Sequence, residues 1–282
     1  MSAVPKVSFA LIGLLFGQSL AAKPPWTEQF RGSSLVEPAG DPVHRIDFNK
    51  RSDLMDPRLH MRQHTDYGGS LFDEEHGPAY AVNDGTLKIT AYKTAQGKIR
   101  SGSVQSVSDI QANKGGKVKF DKDSFVMRGG YWEARIKWPN AVGTWGAFWL
   151  LSLDDPKSRG HLEIDAIEYY GKTDPRGHHH AVHRWHEAGK KNVHHGDYTG
   201  MDLIKDGNWH SYGVDLRGVS KIGDLPAIVI YMDRKEVGRY PADADFFTKS
   251  FYYVLTLAIQ TGENKKFEFP QTMQVDSISV WK

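Results

Sequence analysis

The chain has 282 residues and a net charge of +2, too evenly balanced to imply a nucleic-acid partner. It contains no cysteine, so no disulfide can staple the fold, and it is long enough for one large domain with its own core. Eight tryptophans raise its aromatic content, and several sit in polar or glycine-containing stretches that suit sugar binding as well as packing.

Lys6, an apolar run over residues 7–17, and the small residues around Ala21 form a charged start, a hydrophobic region and a cleavage site. This predicts a signal peptide over 1–21 and a secreted or periplasmic protein; a buried N-terminal strand is the competing reading. The run is too short to cross a bilayer, and no later apolar run is long enough, so no membrane span is expected. Residues 22–45, with several prolines and glycines, read as a lead-in, and residues 46–282 as a single domain, expected to be a monomer.

Within that domain, long helical periodicity is almost absent. Short β-rich runs recur instead, over 87–92, 131–138, 147–151, 211–216, 228–232, 253–258 and 275–281, between turn signals. Asn83-Asp84-Gly85 and Gly129-Gly130 precede two of them, and Asp233-Arg234-Lys235-Glu236 reads as a hairpin turn. Many short strands at fairly even spacing predict an all-β sandwich. The long polar segment 54–80 reads as a loop that shapes one wall of a groove, with an ordinary surface excursion as the alternative.

In Thr144-Trp145-Gly146-Ala147-Phe148-Trp149-Leu150-Leu151, alternation puts Trp145, Ala147 and Trp149 on one strand face. Small residues between large ones leave an aromatic floor on which a sugar's C–H face can stack, although a tryptophan in a sandwich can equally be core.

Gly160-His161-Leu162-Glu163-Ile164-Asp165-Ala166-Ile167-Glu168-Tyr169-Tyr170 carries the chemistry. From His161 to Ala166 polar and apolar residues alternate, with His161, Glu163 and Asp165 on one face. At Ala166-Ile167 the alternation slips, which would drive Glu168 into the core, where an unpaired carboxylate is very costly. A β-bulge at that dipeptide turns Glu168 back beside Glu163 and Asp165. Two glutamates about four strand steps apart, roughly 13 Å between Cα atoms, can lean together as a nucleophile and a proton donor. Crowding by Asp165 should hold at least one proton to unusually high pH. A solvated strand face is the bland alternative.

Between Gly177 and His195 lie seven histidines, His178, His179, His180, His183, His186, His194 and His195, at spacings that match no zinc pattern. No metal ligand is therefore assigned. Residues 181–185 alternate like a strand following the acid-bearing one, which lets His183 face the groove. Otherwise the stretch reads as a solvated loop that becomes cationic at mildly acidic pH.

Taken in order, these residues resemble family 16 of the glycoside hydrolases, in its bulged, laminarinase-like form. The resemblance runs from about residue 46 to Trp281. It includes Asp84-Gly85-Thr86-Leu87-Lys88-Ile89-Thr90-Ala91, Arg100-Ser101-Gly102, Gly130-Tyr131-Trp132-Glu133-Ala134-Arg135, Gly143 to Leu151, and Glu163-Ile164-Asp165-Ala166-Ile167-Glu168. Val182-His183, Asn208-Trp209-His210, Ile230-Tyr231-Met232-Asp233, Leu255-Thr256-Leu257-Ala258 and Val275-Asp276 complete it.

The resemblance implies a concanavalin-like β-jelly roll of two curved antiparallel sheets with a cleft on the concave face. It implies Glu163 as nucleophile, Glu168 as acid/base and Asp165 as the residue that tunes the nucleophile, with Trp145, Trp149, His161 and His183 contacting sugar. The expected activity is a secreted, endo-acting, retaining hydrolase of a β-linked polysaccharide. A β-1,3- or mixed-linkage glucan is the default substrate, with a galactan or bacterial exopolysaccharide as alternatives. A non-catalytic glycan binder or a transglycosylase on the same fold remain the competing functions. Ser103 and Gln260 stand where the family often carries Arg and Gly, which bears on sugar identity. No catalytic cofactor is implied; a structural calcium held by Asp276 and the Asp47-Phe48 segment is the one ion the resemblance admits.

Overall fold

The computed structural model describes residues 37–50, 53–54, 56–61, 66–73, 77–108, 110–112, 118–154, 160–171, 177–186, 190–200, 207–261 and 266–282. The expected leader and most of the lead-in lie outside the described residues.

Among the described residues, fourteen principal strands and one short helix build the domain. They are β1 (His44–Asp47), β2 (Tyr80–Asn83), β3 (Thr86–Lys93), β4 (Ile99–Gln105), β5 (Tyr131–Lys137), β6 (Thr144–Ser152), β7 (His161–Tyr169), β8 (Gly177–Trp185), β9 (Val193–Gly200), β10 (His210–Asp215), β11 (Leu225–Met232), β12 (Lys235–Pro241), β13 (Ser250–Ile259) and β14 (Gln271–Trp281). The helix α1 (Asp245–Thr248) lies between β12 and β13. One sheet runs β2-β3-β14-β5-β10-β11-β12, and β1 extends the β3 side of β14. The other runs β4-β13-β6-β7-β8-β9. All these pairings are antiparallel, and the two curved sheets form a jelly-roll sandwich.

Turn chemistry sets the register. Asp84 and Gly85 (φ 52° and 72°), and Asp233 and Arg234 (φ 48° and 61°), take the paired positive φ values of a tight two-residue hairpin. Both predicted turns are therefore present. β1 begins at His44, which pairs with Val280, so regular structure starts two residues before the expected boundary.

Alternation along the strands fills one core between the sheets. Trp132, Ala134 and Ile136 of β5 meet Phe148 and Leu150 of β6, Leu162 and Ile164 of β7, and Tyr253, Leu255 and Leu257 of β13. Gly146 keeps its parity with Phe148 but has no side chain, because a Cβ there would lie 2.4 Å from the Trp138 ring. The opposite parity of β6 and β13 faces the cleft side. There Ala147, Trp149, Leu151, Tyr252 and Val254 form a second cluster with Val107, Ile110, Phe120 and Val126 from the segment after β4. Part of that face is thus roofed by the chain itself.

The slip in β7 is a bulge. Against β8, Asp165 pairs with Ala181 and Glu168 with His179, leaving Ala166 and Ile167 opposite the single residue His180. Against β6, Asp165 pairs with Trp149 and Ile167 with Phe148, so Ala166 has no partner in that register. Ala166 and Ile167 are both fully buried in the core. The Ala166 carbonyl accepts a hydrogen bond from His178 Nε2 at 2.7 Å. Burial pushes His178 down to about 4, so at neutral pH it is the uncharged donor this site needs.

This corrects the reading of the histidine stretch as a solvated loop. β8 starts at Gly177, and His178, His179 and His180 are buried within it. His178 and His180 point to the core side, which polar composition had disguised as loop. Replacing His178 with Leu leaves the bulge carbonyl without its donor and is expected to lower unfolding stability by about 1–3 kcal/mol. Denaturant titration checks this; an unchanged midpoint would show that the bulge does not depend on that bond.

Candidate active site

β7 carries His161, Glu163, Asp165 and Glu168 along the cleft side, the bulge restoring Glu168 to the row. Across the neighbouring strands, Glu163 sits opposite Leu151 and His183, and Glu168 opposite Ala147 and His179. Each neighbour therefore separates the two glutamates by four steps, the roughly 13 Å backbone spacing that two inclined glutamate side chains can bridge.

Each acid has its own partners. Asp165 lies 2.9 Å from His183 Nε2, and Glu163 lies 3.6 Å from His161 Nε2. Glu168 Oε1 accepts from Trp145 Nε1 at 3.0 Å and from the Tyr170 hydroxyl at 3.2 Å. Burial, reinforced by the charge of Asp165, pushes the Glu168 carboxyl up to about 7, while the Trp145 donor and His183 pull the other way. Burial and the neighbouring Glu163 likewise push Asp165 up to about 6. His183 rises to about 9: burial opposes its charge, but the hydrogen bond and charge of Asp165 outweigh it. At neutral pH the row thus holds an Asp165–His183 ion pair beside a glutamic acid that keeps its proton over much of the range. A neutral carboxylic acid close to a second glutamate on one face is the chemical pair that acid-assisted glycosidic cleavage requires.

The candidate sugar contacts divide. His161 and His183 both stack on Trp185, with ring centroids 6.0 and 5.5 Å away. His194 of β9 meets His183 Nδ1 at 2.6 Å and the Trp185 ring edge-on. These four rings make an aromatic wall beside Glu163 and Asp165. Trp145 is half-buried, stacked on Tyr170 at 6.0 Å. Trp149 is only 7% exposed and donates through Nε1 to Thr256 Oγ1 at 3.1 Å, so it is mainly a floor residue under the roofing segment. Ser103, fully buried, continues that chain at 3.0 Å from Thr256 Oγ1 and contributes no surface to the cleft.

Comparison with known proteins gives the family and the fold. Residues 73–251 match the family described as Glycosyl hydrolases family 16. The chain belongs to that family. Over 180 residues it is 26% identical to the Endo-1,3-1,4-beta-glycanase EglC of Rhizobium meliloti (strain 1021), covering 64% of this chain and 34% of that protein. The chain therefore spans about a third of that relative's length. Two solved structures share the fold. A family 16 protein from the mixed-linkage glucan locus of Bacteroides ovatus aligns with a TM-score of 0.64 at 21% identity, covering 84% of this chain and 99% of that one. An immunostimulatory antigen and pseudo beta-1,3-glucanase of Mycobacterium tuberculosis aligns with a TM-score of 0.63 at 20% identity, covering 86% and 99%.

In this family 16 chain the residues proposed for calcium do not fit the ion. Arg45 grips Asp47 through two bonds of 2.6 and 2.8 Å. Asp276 faces the Arg135 guanidinium at 3.5 Å and takes the Ser277 hydroxyl at 3.1 Å. Two guanidinium groups stand where a hard cation needs oxygen ligands. Within the cleft, Glu163, Asp165 and His183 bring one ligand atom each within 4.8 Å of one another. The direct Asp165–His183 bond already supplies the opposing charge there.

Sequence reasoning missed Tyr170, Trp185, His194 and Thr256. Trp185 shares the parity of His183 and closes the alternating run 181–185, so the signal for it was already in that run. Tyr170 follows the last residue of β7, where periodicity gives no signal.

Because His183 is raised above its ordinary 6.5, it contributes stability below that pH and loses it as pH rises through about 9. Glu168 is still titrating at about 7, so both proteins lose some stability there, and the His183 contribution is the difference between them toward pH 9. Thermal unfolding is expected to weaken between pH 7 and 9, with a smaller decline in His183→Gln. An equal slope in both proteins would remove the ion pair from the account.

Proposed function

We propose that this family 16 chain is an exported, endo-acting hydrolase of a β-linked glucan, with β-1,3- or mixed-linkage glucan as the leading substrate. A galactan or bacterial exopolysaccharide is the next class to test. The observation that carries this reading is the bulge that sets Glu163, Asp165 and a proton-holding Glu168 on one face. The family match and the printed names of the Rhizobium and Bacteroides proteins support the glucan.

In the first step, a Glu163 oxygen attacks the anomeric carbon as its bond to the bridging oxygen breaks. Glu168 gives its proton to that oxygen, which leaves as a sugar hydroxyl. Asp165, paired with His183, holds negative charge next to Glu163 and helps fix its orientation. In the second step Glu168, now a carboxylate, removes a proton from water. The water oxygen attacks the anomeric carbon, and Glu163 is released with net retention of configuration. The wall of His161, Trp185 and His183 offers a stacking surface for a sugar beside the nucleophile.

A non-catalytic binder would have no need of a carboxyl whose proton is shared with solvent near neutral pH. All three acids are present in this chain, with their supporting donors.

Glu163→Gln is expected to reduce turnover of β-1,3- or mixed-linkage glucan by at least about a thousandfold, with binding retained. For the unaltered enzyme, kcat/KM should fall as pH rises through about 7, since Glu168 must enter the first step protonated. Proton NMR of the first-formed product should show the β-anomer, and products longer than the substrate would indicate transfer to sugar. Near-normal Glu163→Gln activity, or an α-anomeric first product, would overturn the proposal.

A further inference from the structure

Glu168 receives two donors on the same oxygen. The Trp145 indole N–H has no acceptor capacity, so its 3.0 Å bond to Oε1 has only one direction. The Tyr170 hydroxyl donates to Oε1 as well, at 3.2 Å. An oxygen engaged by two N–H or O–H groups is poorly placed to carry a proton itself, which leaves Oε2 for the acid's hydrogen.

The support behind these donors is continuous. Tyr170 stacks on Trp145, with ring centroids 6.0 Å apart and planes 21° from parallel, and meets His179 edge-on at 5.1 Å. Trp145 packs closely on Gly68, where a Cβ would lie 3.1 Å from its ring and 2.4 Å from the Ile259 carbonyl. Tyr170 sits beyond the end of β7, so no ladder position demands this tyrosine. Its hydroxyl reaches back two residues to the acid.

We propose that Tyr170 is a positioning residue for the acid/base: with Trp145 it fastens Oε1 of Glu168, so that Oε2 alone gives and retakes the proton, and it tempers the proton affinity of the group. The inference rests on the acid/base role proposed for Glu168. Both donors favour the carboxylate over the neutral acid, because a charged acceptor makes the stronger bond. They therefore oppose burial, which pushes the group up. The other titratable groups around Glu168 are Asp165 and Glu163 on its own strand and His183 and His179 on β8; on β6 it faces Ala147 beside Trp145. Tyr170→Phe alters none of these and keeps the ring that stacks on Trp145.

The test is Tyr170→Phe, read in two ways. With Glu side chains carrying carbon-13 at the carboxyl, and the Glu168 signal assigned by its loss in Glu168→Gln, NMR titration gives the Glu168 pKa without any need for turnover. It is expected to rise by about half to one pH unit in Tyr170→Phe. On laminarin or mixed-linkage glucan, the alkaline limb of kcat/KM should move up by the same amount. In addition, kcat for a sugar leaving group should fall about five- to tenfold, while a 2,4-dinitrophenyl β-oligoglucoside, whose leaving group needs no proton, changes less than twofold.

A Glu168 pKa that stays within 0.2 unit or falls would overturn the proposal, as would equal losses for both leaving groups. If the unaltered protein cleaves none of these glucans, the functional reading fails on its own terms. The NMR titration then still decides whether Tyr170 governs the proton on Glu168.

Discussion

One surplus residue between Asp165 and Glu168 organises both the core and the cleft. Ala166 and Ile167 are both fully buried, and together they oppose the single residue His180 of β8. Were the strand regular, Ile167 would face the cleft and Glu168 the core, where an ionised carboxylate without a partner would cost several kcal/mol. The bulge instead spends the extra residue on apolar packing and sends the glutamate back to the cleft. His178, uncharged because it is buried, takes up the carbonyl displaced from the ladder. Core packing and site geometry are therefore two results of one backbone irregularity, which is why such features recur next to active sites.

Electrostatics separate these acids from the other buried acids of the sandwich. Glu133 is held by Arg234 at 3.1 Å, Glu236 by Arg239 at 2.6 Å and Asp215 by Arg217 at 2.7 Å. In each of these pairs the partner is a guanidinium, a fixed cation. Among the described residues, the ion pairs of the cleft acids are with histidines, and Glu168 has only the neutral donors Trp145 and Tyr170. The result is a graded row, in which Asp165 gains a cationic partner and Glu168 is left to hold its proton. Proton transfer at neutral pH needs that asymmetry, and an arginine beside Glu168 would abolish it.

Much of this was legible in the residues. Strict alternation over His161 to Ala166, followed by a slip that would bury a glutamate, located the bulge because only one strand geometry avoids the penalty. Asn83-Asp84-Gly85 exposed its hairpin because Asp and Gly accept paired positive φ values; at Asp233-Arg234 only the aspartate carries that signal. What stayed hidden depends on tertiary context. His178 and His180 read as polar loop because burial of a histidine is settled by what surrounds it, here the Ala166 carbonyl and the Tyr240 hydroxyl. Trp149 carries the parity of a cleft residue, yet the segment bearing Val107, Ile110 and Phe120 folds over its face, a long-range contact that no local pattern encodes. The surroundings of Asp47 and Asp276 are likewise set by other strand positions, which place an arginine against each.

Mechanism-based labelling addresses the account most directly, because it reports which carboxyl reaches the anomeric carbon. Incubation with a 2-deoxy-2-fluoro β-oligoglucoside bearing an activated leaving group, then peptide mapping by mass spectrometry, should place a single glycosyl adduct on Glu163. An adduct on Asp165 or Glu168, or none under conditions where the glucan is cleaved, would contradict the arrangement argued from the bulge.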